Sequence, residues 1–330
     1  MKREQPGKFY GPFASGLSAF IAVKRSLGMK YISTERTLQH FDRFTKERFP
    51  KAEDVSLTIV KAWTAEPPNL KASSLATRLT TLRQFCLYLR RIYPEAYVPD
   101  RHNAWSVWPK RVPRRKPYIF TTEEVRKLLR ATLMLDPITY NPRRPQTYFN
   151  IFLLLYSTGM RVSEVVTLRL GDVDWSAGTL LVRESKFFKT RVVPVSADVM
   201  SSIKQYRDSH GRPIGRNIRS MPLFQRAHRR YYGVGTVEQM GTHLLRVCGL
   251  KPLSGREGPR LHDLRHTFAV HRISRWYAEG ADVQNLLPML ATYMGHKDIA
   301  STQYYITVTN EILQSANQRF ENLCAPKGRR

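Results

Sequence analysis

The sequence predicts a mainly helical protein with a small β-sheet (α+β), arranged in two domains. Apolar residues recur at helical spacing through most of the chain, whereas short β-type runs are confined to residues 171–195. A basic segment with three prolines interrupts these patterns at 109–117. A length of 330 residues also exceeds the usual size of one hydrophobic core.

Four amphipathic helices are expected in the first domain, which we place at residues 1–110. Their apolar patterns span 13–27, 33–49, 53–63 and 73–93, and Ser33 or Thr34 could cap the second of them. The leucine and aromatic stripes predict a core, and the basic residues beside them predict exposed faces. This part of the chain carries no candidate catalytic residue.

Residues 111–117 are expected to form a basic interdomain linker. Prolines prevent a regular helix here, and the segment with its two preceding residues contains five cations. These cations are Lys110, Arg111, Arg114, Arg115 and Lys116. They could belong to a solvated connector, but a strap that contacts phosphate groups fits the charge of the chain better.

The second domain, residues 118–330, begins where Thr121 and Glu124 have the spacing of a capping box. The apolar run 148–156 is long enough for a buried helix. Two β-type runs within 179–195 predict a hairpin, and helical patterns dominate afterwards.

The charge of the chain indicates a polyanionic partner. Lysine and arginine total 54 against 26 acidic residues, a net charge of +28 at pH 7. Such an excess repels itself in a compact protein unless it faces a polyanion, and nucleic acid is the commonest one. A basic protein that merely stays soluble is the alternative.

Cysteine usage and hydropathy exclude several classes. The three cysteines, Cys86, Cys248 and Cys324, are widely spaced, so neither a disulfide framework nor a cysteine-rich zinc site is indicated. No apolar run approaches the ~20 residues needed to span a bilayer, and no apolar stretch of a signal peptide follows Met1. We expect a cytoplasmic protein.

Three motifs in the second domain place arginine, histidine and tyrosine in a fixed order. They are STGMRVSE at 157–164, LHDLRHTFA at 261–269 and GHKDIASTQYY at 295–305. Transfer of a phosphodiester to an enzyme side chain needs a nucleophile, stabilisation of charge at phosphorus and a proton donor for the leaving oxygen. A tyrosine can be the nucleophile and arginine forks can bind the phosphate oxygens.

Together these motifs resemble those of the tyrosine recombinases, the phage integrase family. The resemblance implies that Tyr305 attacks the scissile phosphate and that Lys186, in the turn of the hairpin, protonates the departing 5′ oxygen. Glu164 occupies the acidic position that orients the site. The implied catalytic residues are Arg161, Lys186, His262, Arg265, His296 and Tyr305.

The resemblance also implies an architecture and partners. A helical, SAM-like core-binding domain and the catalytic domain would clamp double-stranded DNA at a specific recombination site. The expected product is a 3′-phosphotyrosine link, formed without metal, ATP or any other cofactor. A homotetramer on two DNA sites is expected, with other recombinase subunits possible, and residues 310–323 would pack on a neighbouring subunit. No membrane is involved, and the location would be the prokaryotic nucleoid.

One segment favours a particular branch of the family. Residues 285–296 are longer than the compact form of this region and contain Pro288. This resembles recombinases and transposases of mobile elements, so we expect a role in moving or resolving such an element rather than chromosome resolution.

Several alternatives remain open at the level of single residues. Tyr304 is chemically able to replace Tyr305, and Lys189 or Arg183 could be confused with Lys186. In isolation, Arg161 could be a surface arginine paired with Glu164 or Asp172.

A second set concerns the chemistry. His262 and His266 have the spacing of a zinc-protease motif, but Asp263 is shorter than the glutamate that the motif requires. His266 and His271 are otherwise expected to be packed or solvated helix residues. A type IB topoisomerase, or a DNA-binding regulator that does not cleave, are the rival functions.

Overall fold

The computed structural model describes residues 9–66, 69–102, 107–109, 115–139, 141–183, 190–209, 218–226, 230–296 and 302–305. The chain divides into two compact units, Met1–Arg115 and Lys116–Arg330. The described residues are mainly helical with a small sheet, which confirms the predicted fold class. Among these helices, none combines the length and apolarity that a membrane crossing requires.

The described part of the first unit contains four helices around one core. They are α1 (Ala14–Ser26), α2 (Ile32–Arg48), α3 (Leu57–Ala65) and α4 (Ala72–Arg90). Their inward faces carry fully buried side chains, which include Leu17, Phe20, Leu38, Phe41, Trp63, Leu82 and Phe85. All four predicted helices are therefore confirmed, and the leucine and aromatic stripes form the core as expected.

Two helix starts in this unit differ from the sequence prediction. The cap predicted at Ser33 or Thr34 is wrong, because α2 begins earlier, after Tyr31 in a left-handed conformation with φ 49°. Helix α3 begins later than residue 53, since the Ser56 hydroxyl accepts a hydrogen bond from the backbone N–H of Ile59. Local capping geometry, which apolar periodicity does not report, decides both starts.

The described residues of the second unit form seven helices, two short 3₁₀ turns and two small sheets. The helices are α5 (Thr122–Leu133), α6 (Arg144–Thr158), α7 (Val162–Val166), α8 (Ala197–Asp208), α9 (Val234–Val247), α10 (Asp263–Ala278) and α11 (Val283–Met294). The strands are β1 (Val173–Asp174), β2 (Thr179–Val182), β3 (Arg191–Pro194), β4 (Gln225–Arg226) and β5 (Arg230–Tyr231), and the 3₁₀ turns are Leu170–Asp172 and Ile218–Ser220.

The capping box and the hairpin are both confirmed. The Thr121 hydroxyl accepts from the backbone N–H of Glu124 at 3.1 Å, and the Glu124 carboxylate accepts from the N–H of Thr121 at 2.8 Å. Strands β2 and β3 pair antiparallel, with Val182 opposite Arg191. Strand β1, which the sequence patterns did not predict, adds a third strand beside β2.

The packing of α10 on α6 and α11 brings the three sequence motifs together in space. Helix α6 is buried along most of its length, as its apolar sequence predicts. Helix α10 and helix α11 share a smaller core with Tyr305, built around Phe268, Ile273, Leu287 and Met294. The orientation of α10 is fixed at Thr267, whose hydroxyl donates to the Asp263 carbonyl at 2.9 Å and accepts from the N–H of Phe120 at 3.0 Å.

Candidate active site

Arg161 lies at the start of α7, where a tight turn follows the end of α6. Gly159 forms this turn with a φ of 61°. The guanidinium of Arg161 donates to Glu164 at 2.8 Å and to the carbonyl of Gly295 at 3.1 Å. About a quarter of the side chain is exposed (24%), so the guanidinium is held in place while it can still reach a phosphate.

Glu164 is the buried centre of an arginine cluster. Its carboxylate, which is 4% exposed, binds Arg161 and also receives two bonds from Arg191, at 2.8 and 3.2 Å. Burial alone would raise the pKa of Glu164, but the hydrogen bonds and charges of Arg191 and Arg161 outweigh it and lower the pKa. Glu164 is therefore an anion that orients two guanidinium groups.

Arg191 is a residue that the sequence patterns did not single out. It opens β3, is 9% exposed, and its Nε donates to the carbonyl of Tyr293 at 2.8 Å. Its guanidinium also lies so close to Gly295 that a Cβ there would contact it at 2.8 Å. A clue was present in the sequence, because Arg191 begins a β-type run whose later residues pack in the core, but no motif spacing links it to Glu164.

Arg265 is almost completely buried, with 4% of its surface exposed. Its guanidinium donates to the carbonyl of Gly159 and, at 2.8 Å, to the carbonyl of Met294. Burial, followed by the charge of Arg161, lowers the pKa of Arg265 to about 10, so it stays cationic at neutral pH. The two carbonyls lie at the C-termini of α6 and α11, where helix dipoles favour a positive charge.

The three arginines converge on the end of α11. Three successive carbonyls, those of Tyr293, Met294 and Gly295, each accept from a different guanidinium, of Arg191, Arg265 and Arg161 respectively. The last carbonyls of a helix have no partner within the helix, so the arginines satisfy them and are oriented in return. Residues distant in sequence are thereby fixed around one cationic centre.

His262 stands at the start of α10 beside this centre. Its side chain keeps access to solvent, but the protein atoms around the ring, followed by the charge of Arg265, lower its pKa. A neutral imidazole is thus favoured at pH 7. The ring of His262 lies edge-on to that of His266, with centroids 5.3 Å apart.

Tyr305 is buried at 3% exposure, whereas Tyr304 is 41% exposed. Burial raises the pKa of Tyr305, and Arg265 acts in the opposite direction. The ring of His296 stacks near that of Tyr305 with centroids 6.1 Å apart, and the His296 Nδ1 is 2.7 Å from the Thr302 hydroxyl. Of the two tyrosines, Tyr305 is the one placed inside the site.

His266 is the second residue whose place the sequence patterns did not predict. Its Nδ1 lies 2.9 Å from the hydroxyl of Tyr305. Another histidine of α10, His271, binds the hydroxyl of Tyr156 at 3.1 Å. A regular helix places His266 one residue beyond Arg265, but only the fold shows which tyrosine it meets.

The remaining candidates divide into two groups. Lys186 and Lys189, as well as Lys110, Arg111 and Arg114, lie outside the described residues, whereas Arg115 and Lys116 are described in the segment between the units. Arg183 binds Asp172 through Nε at 2.5 Å. In the described parts of the chain, no three histidine, cysteine or acidic side chains are grouped as a metal site would require.

Comparison with known proteins identifies the class. The profile of the phage integrase family matches residues 119–311, which is more than half of the chain. The chain therefore belongs to the phage integrase family and is a tyrosine recombinase.

Individual relatives agree with this assignment. A putative integrase/recombinase of Sinorhizobium fredii, y4rB, is 33% identical over 311 residues, which cover 94% of this chain and 97% of the relative. Tyrosine recombinase XerC of Halalkalibacterium halodurans is 29% identical over 288 residues, covering 86% and 88%. In fold, the chain is similar to the XerH site-specific recombinase bound to a palindromic difH substrate, with a TM-score of 0.64, 18% identity and coverage of 93% and 85%.

Proposed function

We propose that this recombinase cleaves and rejoins DNA through a 3′-phosphotyrosine intermediate on Tyr305. One observation carries the proposal: the phenol of Tyr305 is buried beside His266 and within the electrostatic reach of Arg265 and Arg161. A phenol in such surroundings is chemically suited to attack an anionic phosphodiester, because the arginines hold the phosphate that it attacks.

The cationic centre supports phosphoryl transfer. Arg161, Arg191 and Arg265 share one carboxylate, that of Glu164, so positive charge remains in excess. In our proposal Arg161 and Arg265, with His262 and His296, stabilise the charge that develops on the phosphate oxygens. Preorganised donors act strongly here because they need no rearrangement during the reaction.

The proposed reaction proceeds in two balanced steps. The oxygen of Tyr305 forms a bond to phosphorus while the bond to the 5′ oxygen breaks, and Lys186 gives a proton to that oxygen. A 5′ hydroxyl from a partner strand then attacks the phosphotyrosine, which releases Tyr305 and joins new DNA. The bond energy is retained in the intermediate, so neither ATP nor a metal ion is required in this scheme.

Substitution of the two adjacent tyrosines tests the nucleophile. Tyr305→Phe should abolish the covalent adduct on a suicide DNA substrate and keep DNA binding, because only the attacking oxygen is lost. Tyr304→Phe, the matched control, should still cleave. An adduct formed by Tyr305→Phe would refute the proposal.

The identity of the reaction has a separate test. A recombinase should join strands from two DNA molecules that carry its site, whereas a type IB topoisomerase would relax supercoiled plasmid without a site. A DNA-binding regulator would give no adduct with either substrate. Recombinant joints between two differently labelled sites are the expected result.

Its partners and biological role are proposals that extend from the family resemblance. We place four subunits on two double-stranded DNA sites, with the two units of each subunit on the duplex, and locate the protein at the nucleoid. Sedimentation of the complex with two DNA sites should give a mass of four chains. A role in moving a mobile element is proposed from the segment that contains Pro288, which lies inside α11. Sequencing of the DNA beside the gene should then reveal an attachment site or terminal repeat.

A further inference from the structure

The hydroxyl of Tyr305 has a direct partner on the helix that also carries Arg265. The Nδ1 atom of His266 lies 2.9 Å from it, and the two rings are tilted by 54° with centroids 5.6 Å apart. The short N···O distance at this centroid separation means that the edge of the imidazole faces the hydroxyl. The in-plane lone pair of an unprotonated Nδ1 can accept the phenol proton in this geometry.

The phenol must lose a proton to form a bond to phosphorus. An unperturbed tyrosine has a pKa near ~10, and burial raises the pKa of Tyr305 further although Arg265 opposes the shift. The hydroxyl is therefore protonated at neutral pH. An acceptor in contact with it lowers the barrier, since general-base assistance contributes typically ~10²–10⁴-fold.

Other described groups near the site are placed less well for this proton. The Glu164 carboxylate is occupied by two arginines, and the buried Asp263 carboxylate accepts from the N–H of Arg260 at 2.8 Å. His296 lies nearly parallel to the Tyr305 ring, at 24°, and its Nδ1 contacts Thr302. The edge-on contact of His266 with the hydroxyl is of a different kind.

We infer that His266 is the proton acceptor for Tyr305 during cleavage and returns the same proton during rejoining. The inference rests on the proposed function, in which Tyr305 is the nucleophile. In cleavage, the Tyr305 O–H proton moves to Nδ1 of a neutral His266 as the O–P bond forms. The departing 5′ oxygen receives its proton from a different group, Lys186 in our scheme.

Rejoining reverses this transfer without any further reactant. The phosphotyrosine bond breaks, and the phenolate takes the proton from the imidazolium of His266. The two histidines of α10 are then divided in role, because His262 lies beside the phosphate-binding arginines and His266 meets the nucleophile. One rigid helix, anchored at Thr267, would hold both the charge-stabilising Arg265 and the base.

Two DNA substrates distinguish base from acid. His266→Ala should slow cleavage by ~10²-fold or more on an ordinary phosphodiester. A substrate with a 5′-bridging phosphorothiolate has a leaving group that needs no proton, so it should restore Lys186→Ala and leave His266→Ala slow. Imidazole added to His266→Ala should recover part of the rate.

A third substrate reports on the integrity of the site. A strand that ends in a 3′-p-nitrophenyl phosphate carries its own leaving group and can be joined to a 5′ hydroxyl without Tyr305. His266→Ala should join this strand at the wild-type rate. His271→Ala is the matched control, since His271 lies on the same helix and also binds a tyrosine hydroxyl, and it should cleave normally.

Three results would overturn the inference. They are cleavage by His266→Ala within tenfold of wild type, rescue of that variant by the phosphorothiolate, and an equally slow joining of the activated strand, which would indicate a structural role. Failure of the proposed function is recognised separately, because an adduct formed by Tyr305→Phe would show that the nucleophile is another residue.

Discussion

The turn at Gly159 is the point where one extra methyl group should damage both the stability and the chemistry of the site. Gly159 has a φ of 61°, a conformation that L-residues adopt at a cost of ~1–2 kcal/mol. A Cβ at this position would overlap Cδ1 of Phe268 and lie 3.1 Å from two more atoms of that ring. Phe268 stacks on Tyr293 at 5.6 Å and 22°, so the ring has little freedom to withdraw.

These distances set the expected size of the effect. Overpacking of a closed core costs ~1–3 kcal/mol, so Gly159→Ala should lower the free energy of unfolding by about 2–5 kcal/mol in total. The carbonyl of Gly159 also accepts from Arg265. A shift of this turn would displace the guanidinium, and displacements near 1 Å can slow a reaction by ~10²-fold.

Gly249→Ala is the control that separates the two costs. Gly249 also has a positive φ, 68°, but a Cβ there would meet no atom within 4 Å. This variant should lose only ~1–2 kcal/mol and should keep wild-type cleavage. Both glycines lie in the second unit, so urea titration of the full chain by circular dichroism should show the two effects in one transition. Equal destabilisation by the two variants would refute the packing argument at Phe268.

Three further predictions concern charge. Arg161→Ala or Arg265→Ala should slow cleavage by ~10²–10³-fold, as removal of a charge-stabilising donor generally does, and cleavage should persist in EDTA; inactivation by chelation that zinc reverses would revive the metal interpretation of His262 and His266. Glu164→Gln should cost about 3 kcal/mol at pH 7, because two guanidinium groups lose their buried anion. The pKa of Glu164 is lowered by folding, so this contribution is present above its ordinary value of 4.5 and is lost as pH falls through the lower, folded value. The difference in stability between wild type and Glu164→Gln should therefore narrow as a titration from pH 7 passes below 4.5, and a constant difference would contradict the assignment. Replacement of Lys110, Arg111, Arg114, Arg115 and Lys116 by glutamine should reduce the slope of log K against log salt by about one unit for each phosphate group that is no longer neutralised, with little change in sequence preference; an unchanged slope would identify the linker as a solvated connector.

The sequence by itself determined the elements and the class of this protein. Apolar periodicity predicted the four helices of the first unit and the buried helix α6, and the Thr121–Glu124 spacing predicted the start of α5. Alternating β-type residues predicted the hairpin of β2 and β3. These features are local, since a helix face, a cap and a tight pair of strands each depend on residues close in sequence. Three ordered motifs then sufficed for the family, which the family profile confirms.

Only the tertiary structure decided the partners of the functional side chains. Arg191 lies 27 positions from Glu164, and Arg265 lies 29 positions from Met294, yet both pairs are hydrogen-bonded. No periodicity encodes such pairs, because they depend on how α6, α10 and α11 pack. The end of α11 leaves carbonyl groups without helical partners, and the fold brings three guanidinium groups to them. In the same way His266 is an ordinary helix residue in the sequence and gains its place at the Tyr305 hydroxyl from the packing of the smaller core.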